Sequence, residues 1–376
     1  MATARVVTSS SIVPGTALVA VAGLALLASM LVASCGVKAT DSHGDENLPN
    51  AHAGPFRVLR DGEMPSQDRM IPYAIRRYGT RDPSALDIDG DPATPDVRLF
   101  VAASDRNTPN GPSVSILAFD APDGRSFNPR TEDATVLVPS ESWEGGVVGA
   151  PSVLRVSGEL WMYYAAAGGV GLARSQDGLQ FTKVASPVLT ADASVAWESG
   201  AVPSEPSVVQ VDDGSFRMFY VAGNSIGEAR SSDGERWERL PNGPAVAPVA
   251  APDFPTPDAD NVYEPIDDVR VGGPWAVVTT SSLGRRILRV YYAGQNRIGL
   301  WSLGMVARYG ADGVLERAYD PVLGNLYAPK GPSVVFFRDF TLVWFTAPED
   351  KTKPDSASAI AEGVAPATVS LVLPSP

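Results

Sequence analysis

The sequence predicts an all-β protein, a five-bladed β-propeller with four-stranded antiparallel blades, from three observations. Glycine (35) and proline (33) make up nearly a fifth of the 376 residues, which favours many turns and short strands. Apolar residues account for 44% of the chain and charged residues for only 19%, so the chain can bury a sizeable core. The third observation is a unit that recurs five times between residues 80 and 376.

Each repeat opens with an Xaa-Pro dipeptide and a short strand-forming run, at spacings of 68, 55, 59 and 67 residues. The predicted opening strands cover residues 82–86, 150–154, 205–209, 264–268 and 331–335. An aromatic-rich strand and a third strand follow, and Asp-Gly hairpin signals come after the third strand in four repeats. A short fourth strand, predicted at residues 136–138, 187–189, 245–246 and 321–323, completes the unit, which fits a propeller blade. A two-sheet sandwich is the alternative, but it gives no reason for five in-phase copies.

The last repeat has three predicted strands, the third at residues 369–372. We expect residues 56–59 (Phe-Arg-Val-Leu) to pair beside it as the outer strand, which would close the ring with an N-terminal strand. Closure of this kind removes exposed sheet edges.

The N-terminal region predicts export and lipid anchoring. Arg5 precedes an apolar run over residues 17–33, and residues 32–36 (Val-Ala-Ser-Cys-Gly) resemble the lipobox of bacterial lipoproteins. Cys35 is the only cysteine, and its acylation would leave no thiol for a disulfide, a metal site or catalysis. A signal anchor is the alternative, because the run is of bilayer-spanning length. We therefore expect a signal peptide at 1–34, a flexible tether at 35–54 and the propeller at 55–376, lipid-anchored in the cell envelope outside the cytoplasm.

Charge and histidine content exclude several functions. The formal net charge of −13 argues against nucleic acid as a partner, because phosphate binding needs clustered Lys and Arg. Both histidines, His43 and His52, lie in the predicted tether, which excludes a Ser-His-Asp triad and a histidine-ligated zinc in the propeller. We expect a monomer.

Two repeats carry a motif set that resembles a known enzyme group. Residues 143–181 and 197–237 each contain Trp-Glu, Xaa-Pro-Ser-Val, an aromatic strand and Ala-Arg-Ser-Xaa-Asp-Gly. This pattern resembles the blades of five-bladed glycoside hydrolases, chiefly family 43 with its relatives in families 32, 62 and 130. The resemblance covers residues 56–376 and implies carbohydrate as the partner.

The resemblance also implies a set of catalytic carboxylates at the mouth of the central channel, at the start of the innermost strands of blades one, three and four. Asp82, Glu205 and Glu264 occupy those positions, as general base, pKa modulator and general acid. Such a set would perform inverting hydrolysis of arabinose-type or xylose-type linkages. Glu205 stands where the family has Asp, and Glu264 lacks the family's following Gly-Pro. The alternative is a non-catalytic surface propeller that binds glycan or a partner protein.

Aromatic side chains near the opening strands are candidates for stacking on sugar rings, with ordinary packing as the alternative. These residues are Trp143, Trp197, Tyr263 and Tyr327. A further candidate is an acidic loop after the first opening strand that resembles extracellular calcium loops, with a plain acidic turn as the alternative. Its acids are Asp87, Asp89, Asp91 and Asp96. The predicted chemistry requires no cofactor.

Overall fold

The computed structural model describes most of the repeat region. The described residues are 80–105, 113–124, 134–240, 243–249, 265–280, 284–318, 321–325, 328–337, 341–347 and 361–366. They form an all-β structure of antiparallel sheets, as the sequence predicts.

The described strands form five sheets, each built from consecutive strands. The first contains β1 (Thr80–Asp87), β2 (Val97–Asp105), β3 (Ser113–Ala121) and β4 (Thr135–Leu137). A short 3-10 helix, Ser142–Glu144, leads to the second, which contains β5 (Gly149–Val156), β6 (Glu159–Ala166), β7 (Gly169–Ser175) and β8 (Thr182–Lys183). The third contains β9 (Ser204–Gln210), β10 (Phe216–Ala222), β11 (Ser225–Ser231) and β12 (Glu238–Arg239). The fourth contains β13 (Arg270–Thr280), β14 (Arg286–Gln295), β15 (Trp301–Tyr309) and β16 (Glu316–Arg317). The fifth contains β17 (Lys330–Phe336), β18 (Thr341–Ala347) and β19 (Ala361–Pro366).

The sheets stand in a ring around their first strands. β1 packs against β5, β5 against β9, β9 against β13, β13 against β17, and β17 against β1. The apolar core is divided in the same way, since each of five buried clusters is shared by two neighbouring sheets. One cluster joins Leu99 and Phe119 of the first sheet to Leu342 and Trp344 of the fifth. Burial between every pair of neighbours, including the first and the last, holds the ring closed.

Buried serines link the inner strands. In four of the five steps around the ring, a serine hydroxyl accepts a hydrogen bond from a backbone N–H of a neighbouring inner strand. These bonds run from Val153 to Ser84, from Val208 to Ser152, from Ala276 to Ser207 and from Ala85 to Ser333, at 2.7–3.0 Å. In the remaining step the Trp275 indole N–H donates to the Val334 carbonyl at 2.9 Å. Each serine follows an Xaa-Pro dipeptide, so the repeated motif is explained by contact between neighbouring sheets.

The predicted four-stranded blade is confirmed for four sheets. The fifth sheet has three strands among the described residues, so a fifth complete blade is not confirmed. Residues 56–59 and 369–372, the pair expected to close that sheet, lie outside the described residues. Closure by an N-terminal strand stays a prediction.

The predicted opening strand at residues 264–268 is wrong. The inner strand of the fourth sheet is β13, and its Xaa-Pro dipeptide is Gly273-Pro274. The earlier Glu264-Pro265 matches the pattern in residue type only. Asp267 lies in the loop before the inner strand, 1% exposed, where the second and third sheets have their buried Trp-Glu acids.

The predicted fourth strands also differ from the structure in three sheets. The outer strands β8, β12 and β16 come directly after the hairpins and have two residues each. The apolar runs predicted instead lie further along the chain and make only isolated bridges, at Leu189, Val246 and Leu323. The apolar residues of these runs indicate that the segment is buried. They do not indicate which segment pairs as the outer strand of the sheet.

Candidate functional site at the ring axis

The inner strands share one backbone irregularity at the axis of the ring. Each strand pairing shifts register at the Xaa-Pro dipeptide, as a β-bulge does. The residue before each proline has a positive φ between 42° and 54°. Those residues are Asp82, Ala150, Glu205, Gly273 and Gly331. Three of the five are not glycine, although a left-handed backbone costs other residues about 1–2 kcal/mol.

These five residues and their prolines line one solvent-open cavity, together with Trp275. Asp82 and Glu205 are the two acids of the lining. The sequence-based expectation that inner strands bring acids together at the axis therefore agrees with the placement of these two. Glu264 lies outside the described residues, and Gly273 occupies the corresponding position of the fourth inner strand.

Asp82 lies among charged neighbours at the start of β1. Its N–H donates to Thr346 Oγ1 at 2.8 Å, and its Oδ2 lies 3.2 Å from Arg81 Nε. Burial raises the pKa of Asp82 to about 6, with Arg81 opposing the rise and the charge of Glu205 adding to it. A carboxyl group with this pKa holds a proton in weakly acidic solution, which an ordinary aspartate does not.

Glu205 reaches the axis from β9. Its Oε2 accepts a hydrogen bond from the Gly273 N–H at 2.6 Å, and its Oε1 lies 4.0 Å from Arg270 Nη2. Its side chain is 34% exposed. One oxygen of Glu205 is thus held by the fourth sheet, while the carboxylate still faces the cavity.

Glycine is required where the fourth and fifth sheets approach each other. A Cβ added to Gly273 would lie 2.7 Å from the Cα of Gly331, closer than atoms can pack. A Cβ on Gly331 would lie 3.5 Å from Asp82 Oδ1. The resemblance implies an acid at the start of the fourth inner strand. An acidic side chain at position 273 would have no room.

The predicted sugar-stacking aromatics do not line this cavity in the described part of the chain. Trp143 stacks on Tyr164 with ring centroids 6.1 Å apart, and its indole N–H donates to the Ala185 carbonyl. Trp197 packs against Tyr220 at 6.4 Å. Their contacts are those of packing residues between blade and loop.

Tyr263 and Tyr327 lie outside the described residues. Cys35 and the other residues before Thr80 do as well. Among the residues that are described, no helix has the length and apolar character needed to cross a membrane.

A repeated buried network was not predicted from the sequence. In each of three sheets, a carboxylate no more than 1% exposed accepts a hydrogen bond from a tyrosine hydroxyl and pairs with a cation of the outer strand. The three sets are Glu144, Tyr164 and Lys183; Glu198, Tyr220 and Arg239; and Asp267, Tyr292 and Arg317. Their partners offset the buried charge, so these acids tie the loop before each inner strand to its own sheet.

The acidic loop after β1 is folded by its own side chains. Asp89 accepts hydrogen bonds from the Asp91 N–H at 2.9 Å and the Thr94 hydroxyl at 2.7 Å. Burial and the neighbouring Asp89 raise the pKa of Asp87 to about 7. Across the described residues, no three or more acidic, histidine or cysteine side chains are grouped to hold a metal ion. A calcium site formed with Asp96 stays a prediction.

Comparison with known proteins identifies the fold. No family profile matches the sequence, and no curated protein does. Among solved structures, a candidate glycoside hydrolase from Parabacteroides distasonis has a TM-score of 0.59 at 15% identity, over 85% of this chain and 97% of that one. A glycosyl hydrolase from Bacteroides ovatus has a TM-score of 0.58 at 15% identity, over 83% and 93%. The β-1,2-mannobiose phosphorylase from Listeria innocua has a TM-score of 0.51 at 13% identity, over 77% and 89%. The chain therefore shares the propeller-like fold of these carbohydrate-active proteins.

Proposed function

We propose that the protein acts on a glycan at the axial cavity, with Asp82 and Glu205 as its reacting carboxyl groups. The observation that carries the proposal is their placement: two acids from separate inner strands line one open cavity, each on a left-handed backbone. Strained non-glycine residues cluster at functional sites because the surrounding fold holds them there. The solved structures of similar fold are named for glycoside hydrolysis or phosphorolysis.

The proposed reaction is inverting hydrolysis of an arabinose-type or xylose-type linkage. Such a reaction needs one carboxyl group that donates a proton and one carboxylate that activates water. The raised pKa of Asp82 suits it to proton donation in weakly acidic solution, whereas the family resemblance assigned it the base role. Glu205, one oxygen of which is held by the Gly273 N–H, would then activate the water.

The experiment is hydrolysis of aryl arabinosides, xylosides and mannosides by the full chain and by Asp82→Asn, Glu205→Gln and Glu264→Gln. Removal of a reacting acid or base costs about 10²–10⁴-fold in rate. Glu238→Gln, on the exposed outer strand of the third sheet, is the matched control and should retain activity. Full activity in both axial variants would refute the proposal. Loss of activity in Glu264→Gln alone would assign the role of proton donor to Glu264.

The pH profile separates the two roles of Asp82. If Asp82 donates the proton, kcat/KM should fall as the pH rises through about 6, because the donor loses its proton. If it is the base, kcat/KM should rise over the same range. Proton NMR of the first sugar released would show whether the anomeric configuration is inverted.

A non-catalytic glycan-binding propeller is the second candidate. It is favoured by Gly273, which stands where the resemblance places a third acid, and by the pairing of Asp82 with Arg81. Glycan binding without hydrolysis over a broad panel would favour this function.

We also propose that the chain is anchored through Cys35 in the cell envelope. The support is the lipobox-like run at residues 32–36 and the absence of any other cysteine from the sequence. Cys35→Ala should abolish partitioning into the detergent phase and release the protein from the membrane fraction. Unchanged fractionation of the variant would contradict the anchor.

A further inference from the structure

The charges around the axial cavity differ in sign from those of the chain as a whole. The formal net charge of the protein is −13. Beside the cavity, however, Arg81 lies 3.2 Å from Asp82 and Arg270 lies 4.0 Å from Glu205, and the charge of Lys330 lowers the pKa of Asp82. Among the described residues, three cations therefore accompany two acids, and the excess of positive charge grows when Asp82 is protonated.

The three cations differ in how far the protein already uses them. Arg81 pairs with Asp82 and donates from Nη1 to Ser104 Oγ at 3.1 Å. Lys330 lies over the Trp301 ring at 4.5 Å and lowers the pKa of Asp82 by its charge. Arg270 is different, because its closest carboxylate contact, to Glu205, is 4.0 Å long.

Arg270 combines exposure with unused hydrogen-bonding capacity. Its side chain is 40% exposed, and its buried Nε has no hydrogen-bond partner in the described part of the chain. The planar guanidinium presents parallel donors that match a carboxylate.

We propose that Arg270 binds a carboxylate of the ligand, so that the glycan recognised at the axis carries uronic acid residues. This inference rests on the proposed glycan function and specifies its substrate class. Lys330 adds favourable charge on the Asp82 side of the cavity. The acidic remainder of the protein surface would repel such a ligand elsewhere, which directs it to the axis.

The test compares an acidic oligosaccharide with its neutral counterpart. Binding of trigalacturonate and of its methyl ester to the full chain is measured by calorimetry, with Arg270→Gln, Arg270→Lys and the exposed outer-hairpin control Arg236→Gln. Charge-assisted hydrogen bonds to a carboxylate predict roughly 10- to 100-fold weaker trigalacturonate binding in Arg270→Gln. Arg270→Lys should fall between wild type and Arg270→Gln, the control should match wild type, and added salt should weaken wild-type binding.

The other possible results distinguish a failure of this inference from a failure of the proposed function. Equal binding of acid and ester, with no loss in Arg270→Gln, would overturn the inference and leave the glycan function standing. Arg270-dependent binding of inorganic phosphate without binding of trigalacturonate would overturn the assignment to an acidic sugar. If no glycan of either charge binds, the proposed function fails together with the inference. Thermal unfolding of each variant shows whether a loss of binding reflects a loss of fold, and Lys330→Gln then tests the same charge from the fifth sheet.

Discussion

Replacing Asp82 with asparagine is expected to stabilise the fold at neutral pH, although it removes a proposed reacting group. In the folded protein, burial raises the pKa of this carboxyl from its ordinary 3.8 to about 6. Ionisation is therefore harder in the folded state than in the unfolded chain. Asparagine has nearly the same shape and cannot ionise, so the variant avoids this cost.

The size and pH range of the effect follow from the two pKa values. Well below pH 3.8, Asp82 is protonated in both states and the substitution should change little. As the pH rises from about 4 to 6, the unfolded chain gives up its proton first, so the wild type loses stability relative to the variant. A difference of about two pKa units corresponds to about 3 kcal/mol above pH 6. Because the side chain is 30% exposed, solvent screening brings the expected gain to about 1–3 kcal/mol.

Guanidinium denaturation of wild type and Asp82→Asn at about pH 4, 6 and 8 measures the difference. Asp87, with its pKa raised to about 7, contributes its own pH dependence in both proteins and cancels from the comparison. Asp87→Asn is the matched control, and its gain should extend to about pH 7. A variant less stable than wild type at pH 8, or a difference that does not depend on pH, would refute the reasoning.

Three further substitutions test the ring and its axis by denaturation. Ser207→Ala leaves the buried Ala276 N–H without its acceptor and should cost about 1–3 kcal/mol; an unchanged midpoint would contradict the serine link. Gly273→Ala should cost about 2–4 kcal/mol, since it combines a left-handed alanine with a contact to Gly331; wild-type stability would show that the sheets do not meet there. Glu198→Gln leaves the half-buried Arg239 without its carboxylate and should cost about 1.5–3 kcal/mol, and a loss below 1 kcal/mol would show that the network adds little.

Four of the inner strands could be predicted from the sequence because the Xaa-Pro-Ser motif has a structural cause. The proline interrupts pairing at the bulge, and the serine bonds to a neighbouring inner strand. The inner strand of the fourth sheet could not be identified in this way, because Trp275 stands where the other inner strands have the serine. Nothing in Gly-Pro-Trp marks it as the same position unless the neighbouring sheet is known.

The buried acids show a second limit of sequence reasoning. Trp-Glu recurs at 143–144 and 197–198, and the sequence suggests a role, contact with a sugar, only for its tryptophans. The cationic partners of these acids come from later strands of the same sheet. Lys183 follows Glu144 by 39 residues, and Arg239 follows Glu198 by 41 residues. Only the folded sheet brings these partners together, so the structural role of the acids could not be predicted from local sequence.

At the position before each inner-strand proline, the conformation that the backbone needs can be distinguished from the role of the side chain. The same left-handed backbone is adopted by Ala150 and by two glycines as well as by the two acids, so strain alone does not identify a reacting residue. Glycine would satisfy this backbone best, and Ala150 shows that a small side chain is tolerated. Asp82 and Glu205 instead place carboxyl groups in a cavity where each must be balanced by a nearby arginine or backbone N–H. Because neither the backbone nor the serine links require an acid at these positions, the two carboxyl groups and the cations around them are where a ligand's chemistry should be sought.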